Sequence, residues 1–344
     1  PSSGGSKAAY PCKSYGQGRI NPAYFYGIFD PNDMRRDVSI TMTGSNGKGV
    51  EKLIPFVPNS KAEGGGLTLN KWDENRQANP WVAAQRKSGI NGPYMRMSEV
   101  YLGYAEVCAA LGDVVTGKQY LKTVRERSFP QGLADTDGFI ASFGNDLVRA
   151  IIEERGFEYA GEGDRRWTLI RSGYLPEDIK RIKDMTKAMM DGPATKGYYE
   201  FENGNIISAY IWTKLVDAKT IYGHRLTAQC PTDKVNDPVL YPGWRGQKDN
   251  WEEMGLNYGN SAPATNLAIK GLFEIVSEEE AASLESQGYA KVNWGIDLVD
   301  YRDEYDKYLF WDYDYVSAPI YLWPFTPNVM AAGGFTNGYG FKQE

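Results

Sequence analysis

The chain has 344 residues, 42% hydrophobic and 24% charged, with a net charge of -6. That length holds one large core or two smaller ones. An acidic balance without a basic run argues against nucleic acid or an anionic membrane surface as partner, and no apolar run reaches the roughly 18 residues of a membrane-spanning helix.

Residues 1 to 94 read as loop-rich with short strands. The opening "PSSGGSKAAYPC" lacks the apolar segment of a signal peptide. "VSITMTG" at 38–44 alternates weakly and predicts a strand, "GSNGKG" at 44–49 a turn, and "EGGGLTLNKW" at 63–72 a second strand.

The centre, 95 to 190, reads as helical. Met97, Tyr101, Tyr104, Ala105, Cys108 and Leu111 recur at steps of three and four, which puts them on one expected apolar face. Gly112-Asp113 ends this helix, and a second, over 116–128, turns Tyr120, Leu121 and Val124 inward. The pair forms a helical hairpin of tetratricopeptide type, which needs neighbours to bury its faces. A third helix over 145–160, capped by Asn145 or Asp146, has Leu147, Val148, Ile151 and Ile152 as its inner face. A fourth over 176–190 opens with Pro176, Glu177 and Asp178. Its Lys180, Arg181, Lys183 and Lys187 predict a solvated face.

Residues 191 to 344 read as loop-rich, irregular over 192–265, with helices expected near 277–287 and at 297–310. No repeat or linker divides the chain. One domain over 1–344 is expected: mostly α, with a tetratricopeptide-type helical hairpin core, long loops and a few short β-strands.

Glu153, Glu154, Glu158 and Glu162 could supply the acid and base of a glycoside hydrolase, with Glu154 and Glu158 as the pair. Their spacing beside Arg155, Arg165 and Arg166 favours internal charge pairing instead. Arg96, Glu99 and Glu106 of the first helix and Glu154, Arg155 and Glu158 of the third are read as structural ion pairs, with Arg155 reaching Glu99 or Glu106. His224, the one histidine, has no triad or metal partner in sequence, and "DTDG" at 135–138 opens like a calcium loop but lacks the later ligands. No metal and no cofactor are expected. Three cysteines are too few for a disulfide framework; Cys12 and Cys230 lie beside Pro in loops and could pair. Aromatic residues are abundant at 13%, and many fall in expected loops, Tyr198 and Tyr199 among them. Flat apolar rings with polar handles suit sugar faces and protein interfaces alike, or simply pack the loops onto the core.

"GPYMRMSEVYLGYAEVCAALGD" at 92–113, "YLKTVRERS" at 120–128 and "IIEERGFEYAGEGDRRWTLIRSG" at 151–173 resemble, in order, motifs of SusD/RagB-like outer-membrane lipoproteins. "DPNDMRRDVSITM" at 30–42 resembles that family's Asp-Arg strand entry, and "YLWPFTPNVMAAGGFTNGYGF" at 321–341 its ending. The resemblance implies a non-catalytic protein on the surface of the outer membrane. It would bind a glycan, or sometimes a peptide, as a lid over a TonB-dependent SusC-like barrel. It also implies a lipidated N-terminus and N-terminal helices that do not precede residue 1, so the chain is expected to be the C-terminal part of a family member. Membrane attachment would run through that missing lipid alone. The rings expected to meet the ligand are Tyr24, Tyr26, Trp72 and Trp81, then Trp244 and Trp251. Rival readings are the glycoside hydrolase above and a peptide-binding or purely protein-interacting lid.

Overall fold

Helix caps appear in the first segment, which reads as loop and strand. In the computed structural model, which describes residues 19–45, 51–53, 56, 67–69, 71, 92–217, 265–300 and parts of 314–336, Asn21 accepts from the Ala23 amide at 2.8 Å and starts α1 (Pro22–Gly27). Asp33 accepts from the Arg35 amide at 3.0 Å and starts α2 (Met34–Ser39). Such acceptors satisfy amides that a first helical turn leaves unpaired. The strand expected over 38–44 therefore begins only at Ile40, and the expected Asp-Arg strand entry is a capped helix instead.

The early strands form two small antiparallel sheets. β5 (Leu67–Leu69) lies between β1 (Arg19–Ile20) and β2 (Ile40–Thr41), and β3 (Thr43–Ser45) pairs β4 (Glu51–Leu53). A larger core gathers beside them. Phe25, Tyr26 and Phe29 of the α1 segment pack with Phe201, Phe273 and Trp294.

The helical centre is built on a hairpin of α3 (Met97–Ala110) and α4 (Val114–Arg125), which both pack on α6 (Leu147–Glu158). Gly112, at φ 88°, makes the reversal, and Asp113 caps α4 through the Thr116 amide at 3.1 Å. At Gly117 the helices approach closely: a Cβ there would stand 3.0 Å from the Ala105 carbonyl oxygen. Leu102, Ala105, Leu121, Val124, Ala150 and Ile151 fill this second core, and Cys108 is a buried free thiol beside it.

The buried face of α3 keeps Ala105 and Cys108 of the expected one but is rotated away from the rest. Ser98, Leu102, Ala105 and Cys108 point inward, whereas Met97, Tyr104 and Leu111 are exposed, Leu111 at 82%. The small residues take the closest approach to α4, and the rings are displaced to its edge, where Tyr101 and Tyr104 lie 5.5 and 5.1 Å from Tyr120. Met97, Val100, Tyr104, Val107 and Leu111 make a second apolar stripe, exposed, at three-four spacing.

α5 (Thr136–Ala141), α7 (Asp164–Ser172) and α8 (Leu175–Lys196) complete the helical body. Asp135 caps α5 by accepting from Gly138 N at 3.0 Å, so "DTDG" is a helix start. α8 runs past the expected end to Gly197, at φ 82°. Lys183, expected on a solvated face, is buried because α1, α7 and β6 (Tyr198–Glu200) crowd around α8.

The stretch expected to be irregular from 192 holds strands as far as it is described. β6 pairs β7 (Ile206–Ser208), and β8 (Tyr210–Asp217) lies between β9 (Thr265–Lys270) and β10 (Ala290–Asn293), all antiparallel. A capping box of Ser277 and Glu280 starts a helix at Glu278–Ser286. The helix expected at 297–310 is described as Asp297–Asp300; 301–310 lies outside the described residues. The described fold is mostly helical with few short strands.

Candidate functional site

The charge of the molecule's centre is concentrated around α6, which is buried along nearly its whole length although it carries Arg149, Glu153, Glu154, Arg155 and Glu158. Burial of ionised groups is tolerated only with partners and hydrogen bonds, and the neighbouring segments supply them. Glu154 accepts from Arg35 at 2.6 Å and from Arg125 at 3.1 Å. Glu158 accepts from Arg96 at 2.6 Å, from Arg35 at 3.2 Å and from Arg127. Arg96 continues to Glu162 at 2.7 Å, where Lys71 also pairs, and Arg35 returns to Asp33 at 2.6 Å.

A second network lies on the other side of α6. Glu153 meets Arg149 at 3.0 Å, Arg165 at 3.1 Å and Arg181 at 3.0 Å, and Asp178 shares the last two at 2.7 and 2.5 Å. Arg155 pairs Asp164 at 2.5 Å and stands 3.6 Å from Glu99. Glu106 pairs Arg171 instead, through two hydrogen bonds. Arg96, Glu154 and Glu158 lie in the first network, Arg155 stands near Glu99, and Glu106 lies apart from both networks with Arg171; Arg35, Arg125 and Arg127 carry much of the first. Nothing in sequence spacing marks the Arg35 partnership, which joins segments 119 residues apart.

The electrostatics follow from this packing. Burial alone would raise the Glu158 carboxyl, but the Arg35, Arg127 and Arg96 guanidiniums outweigh it and hold it at about 2. Burial pushes likewise on Asp178, and Arg165 with Arg181 still bring it below its ordinary value. Burial lowers Lys71 despite its contact with Glu162. A carboxyl held at about 2 is ionised near neutrality and has no proton to donate as a general acid. Among the described residues no cluster of three His, Cys, Asp or Glu could hold a metal, and no described helix is long and apolar enough to cross a membrane.

The two expected ligand rings that are described do not lie open. Tyr26 is fully buried; its hydroxyl donates to the Leu272 carbonyl at 3.1 Å and accepts from Trp294 Nε1 at 2.8 Å. Tyr24 is half-buried, packs edge-on against Phe29, and donates to the Gly156 carbonyl at 2.6 Å. Both are corrections to the expected site: α1 turns these rings toward the core, where Phe29, Phe201 and Trp294 pack with them. Trp72, Trp81, Trp244 and Trp251 lie outside the described residues, as do His224, Cys12 and Cys230.

Two hollows open on the described surface. One, of about 440 Å³, is lined by Gly27 and Ile28 after α1, by Glu177, Lys180, Arg181, Asp184 and Met185 of α8, and by Tyr199, Phe201 and Glu202 of the β6 hairpin. The other, of about 720 Å³, lies between α4 and α5 with Lys118, Lys122, Arg127, Phe129 and Asp137 among its walls. Both fall within the size range of small-molecule sites. Trp167 of α7 is also exposed.

The sequence model described as the SusD family matches residues 4–325. A relative, the SusD-like protein P25 of Formosa agariphila, is 28% identical over 160 residues, which are 46% of this chain and 26% of that protein. The match thus spans about a quarter of the relative's length. No solved structure matches.

Proposed function

Because the chain belongs to the SusD family, we propose that it is a non-catalytic glycan-binding protein of nutrient uptake. It presents oligosaccharides to a SusC-like TonB-dependent transporter at the surface of the outer membrane, held there by a lipid anchor. The family match over 4–325 carries this reading. The pairing of the central carboxylates supports it, because Glu154 and Glu158 are consumed in structural contacts rather than turned toward a cleft. We take residues 1–344 as one domain with the α3–α4 hairpin as its tetratricopeptide-type unit. Trp72, Trp81, Trp244 and Trp251 stay as candidate ligand rings; Tyr24 and Tyr26 do not.

Affinity electrophoresis through a panel of polysaccharides tests the reading. Retardation by at least one glycan, with no release of reducing ends, is expected. Release of reducing ends by the wild type and not by Glu154→Gln would replace it with the hydrolase. A second reading, a lid that meets only proteins, draws on the exposed stripe of Met97, Val100, Tyr104, Val107 and Leu111; exposed apolar patches of this kind mark interaction surfaces. It is preferred if no glycan retards the protein.

A further inference from the structure

We propose that the hollow between α1, α8 and the β6–β7 hairpin is a glycan subsite, and that it takes uncharged sugar rings in preference to uronate or sulfated ones. The inference rests on the glycan reading above and adds a place and a charge class to it.

The floor is apolar and fixed. Phe201 is buried, stacked nearly parallel on Tyr26 at 6.1 Å. Gly27 lies so close beneath it that a Cβ there would fall 2.6 Å from the Phe201 ring and 2.9 Å from the Met185 sulfur. Tyr199 rises from this floor, edge-on to Phe201 at 4.8 Å and 89°, and only half-buried. Its backbone is braced against Gly192 of α8, where a Cβ would stand 2.6 Å from the Tyr199 Cβ. A rigid ring beside Ile28 and Met185 offers the C–H face of a pyranose a flat apolar wall.

The rim is polar, and its charges are unequal in what they have left to give. Arg181 is already divided between Glu153 at 3.0 Å and Asp178 at 2.5 Å. Lys180 and Asp184 pair at 2.5 Å on the exposed side of α8. Glu177 leans to Arg149 at 3.3 Å but is two-thirds exposed, and Glu202 is exposed. Of the three rim carboxylates, Asp184 is paired by Lys180 and Glu177 is met by Arg149, while Arg181 is neutralised from behind; the rim's remaining negative charge is that of Glu202. Carboxylates accept from sugar hydroxyls, whereas uncompensated negative charge within a Debye length of about 8 Å repels a carboxylate or sulfate on the ligand.

Calorimetry on the full chain tests this. The probes are cellohexaose, maltohexaose, laminarihexaose, xylohexaose and mannohexaose, set against hexagalacturonate and a sulfated carrageenan hexamer. At least one neutral probe should bind and neither acidic one. Tyr199→Ala should weaken the bound probe about five- to tenfold, the loss of one stacking contact. Asp184→Trp, at an exposed rim position, should abolish binding by filling the hollow while the melting temperature holds; it decides the matter if Tyr199→Ala unfolds the hairpin. Glu202→Lys should bring hexagalacturonate into range. Neutral binding indifferent to both Tyr199→Ala and Asp184→Trp overturns the place, and acidic probes binding better than neutral ones overturn the charge class, while the glycan reading stands in both cases. No probe binding the wild type overturns that reading and this inference together.

Discussion

Arg96 donates from Nη1 to the Glu158 carboxylate at 2.6 Å, and so ties the entry of α3 to the last turn of α6. The hairpin is joined to the helix beneath it by charge as much as by its apolar core. Removing Arg96 leaves the buried Glu158 to Arg35 and Arg127 alone and Glu162 to Lys71, a partial loss of compensation at a desolvated site. Arg96→Met is expected to lower unfolding free energy by about 3 kcal/mol, read from the urea midpoint. Lys180→Ala, which breaks an exposed pair on α8, should cost under about 0.5 kcal/mol. Equal effects would deny the central network its role.

Glu158 also sets an acid limit. Its carboxyl sits at about 2 in the fold against an ordinary 4.5, so the unfolded chain takes up protons first as pH falls. The contribution is full above about 4.5 and is lost between there and about 2, on the order of 3 kcal/mol in all. Asp178, shifted the same way, adds to the loss. Denaturation midpoints should fall across this window, and Glu158→Gln should flatten the fall. An unchanged profile in that variant refutes the assignment.

Tyr26→Phe separates core from site. It leaves Trp294 Nε1 without its acceptor and the Leu272 carbonyl without its donor. A cost of about 1–3 kcal/mol in stability is expected, with glycan affinity unchanged. A selective loss of binding at constant stability would restore Tyr26 to the ligand.

Gly117 tests the hairpin's close approach. Gly117→Ala gains helix propensity, yet its methyl meets the Ala105 carbonyl at 3.0 Å and Leu147 at 3.1 Å. A net loss of about 1–3 kcal/mol is expected, as for overpacking elsewhere. A gain in melting temperature would mean that the helices separate without cost.

Periodicity located the third helix almost to its ends and found both arms of the hairpin, because Asp146, Asp113 and Gly112 mark their own boundaries chemically. It placed Ala105 and Cys108 on the buried face of α3 but not the rest of that face. That helix is apolar on two sides, and the choice is made by which side chains are small enough for α4 to approach. Tyr24 and Tyr26 looked like loop rings because Asn21 is a cap whose short helix carries no apolar repeat of its own. The hollow was illegible for a different reason. Tyr199 stands out only as one of many rings in expected loops, Met185 and Gly27 do not stand out at all, and the three meet only when β6 folds back along α8. Arg35 became a partner of Glu154 in the same way, through tertiary placement alone.

Cys108 lies where α3 leans on its neighbours, reduced and shielded from water. An alkylating reagent reaches that largely buried sulfur faster when the two antiparallel arms part. Its rate of modification, followed peptide by peptide in a mass spectrometer, is therefore a gauge of local opening that the molecule already carries.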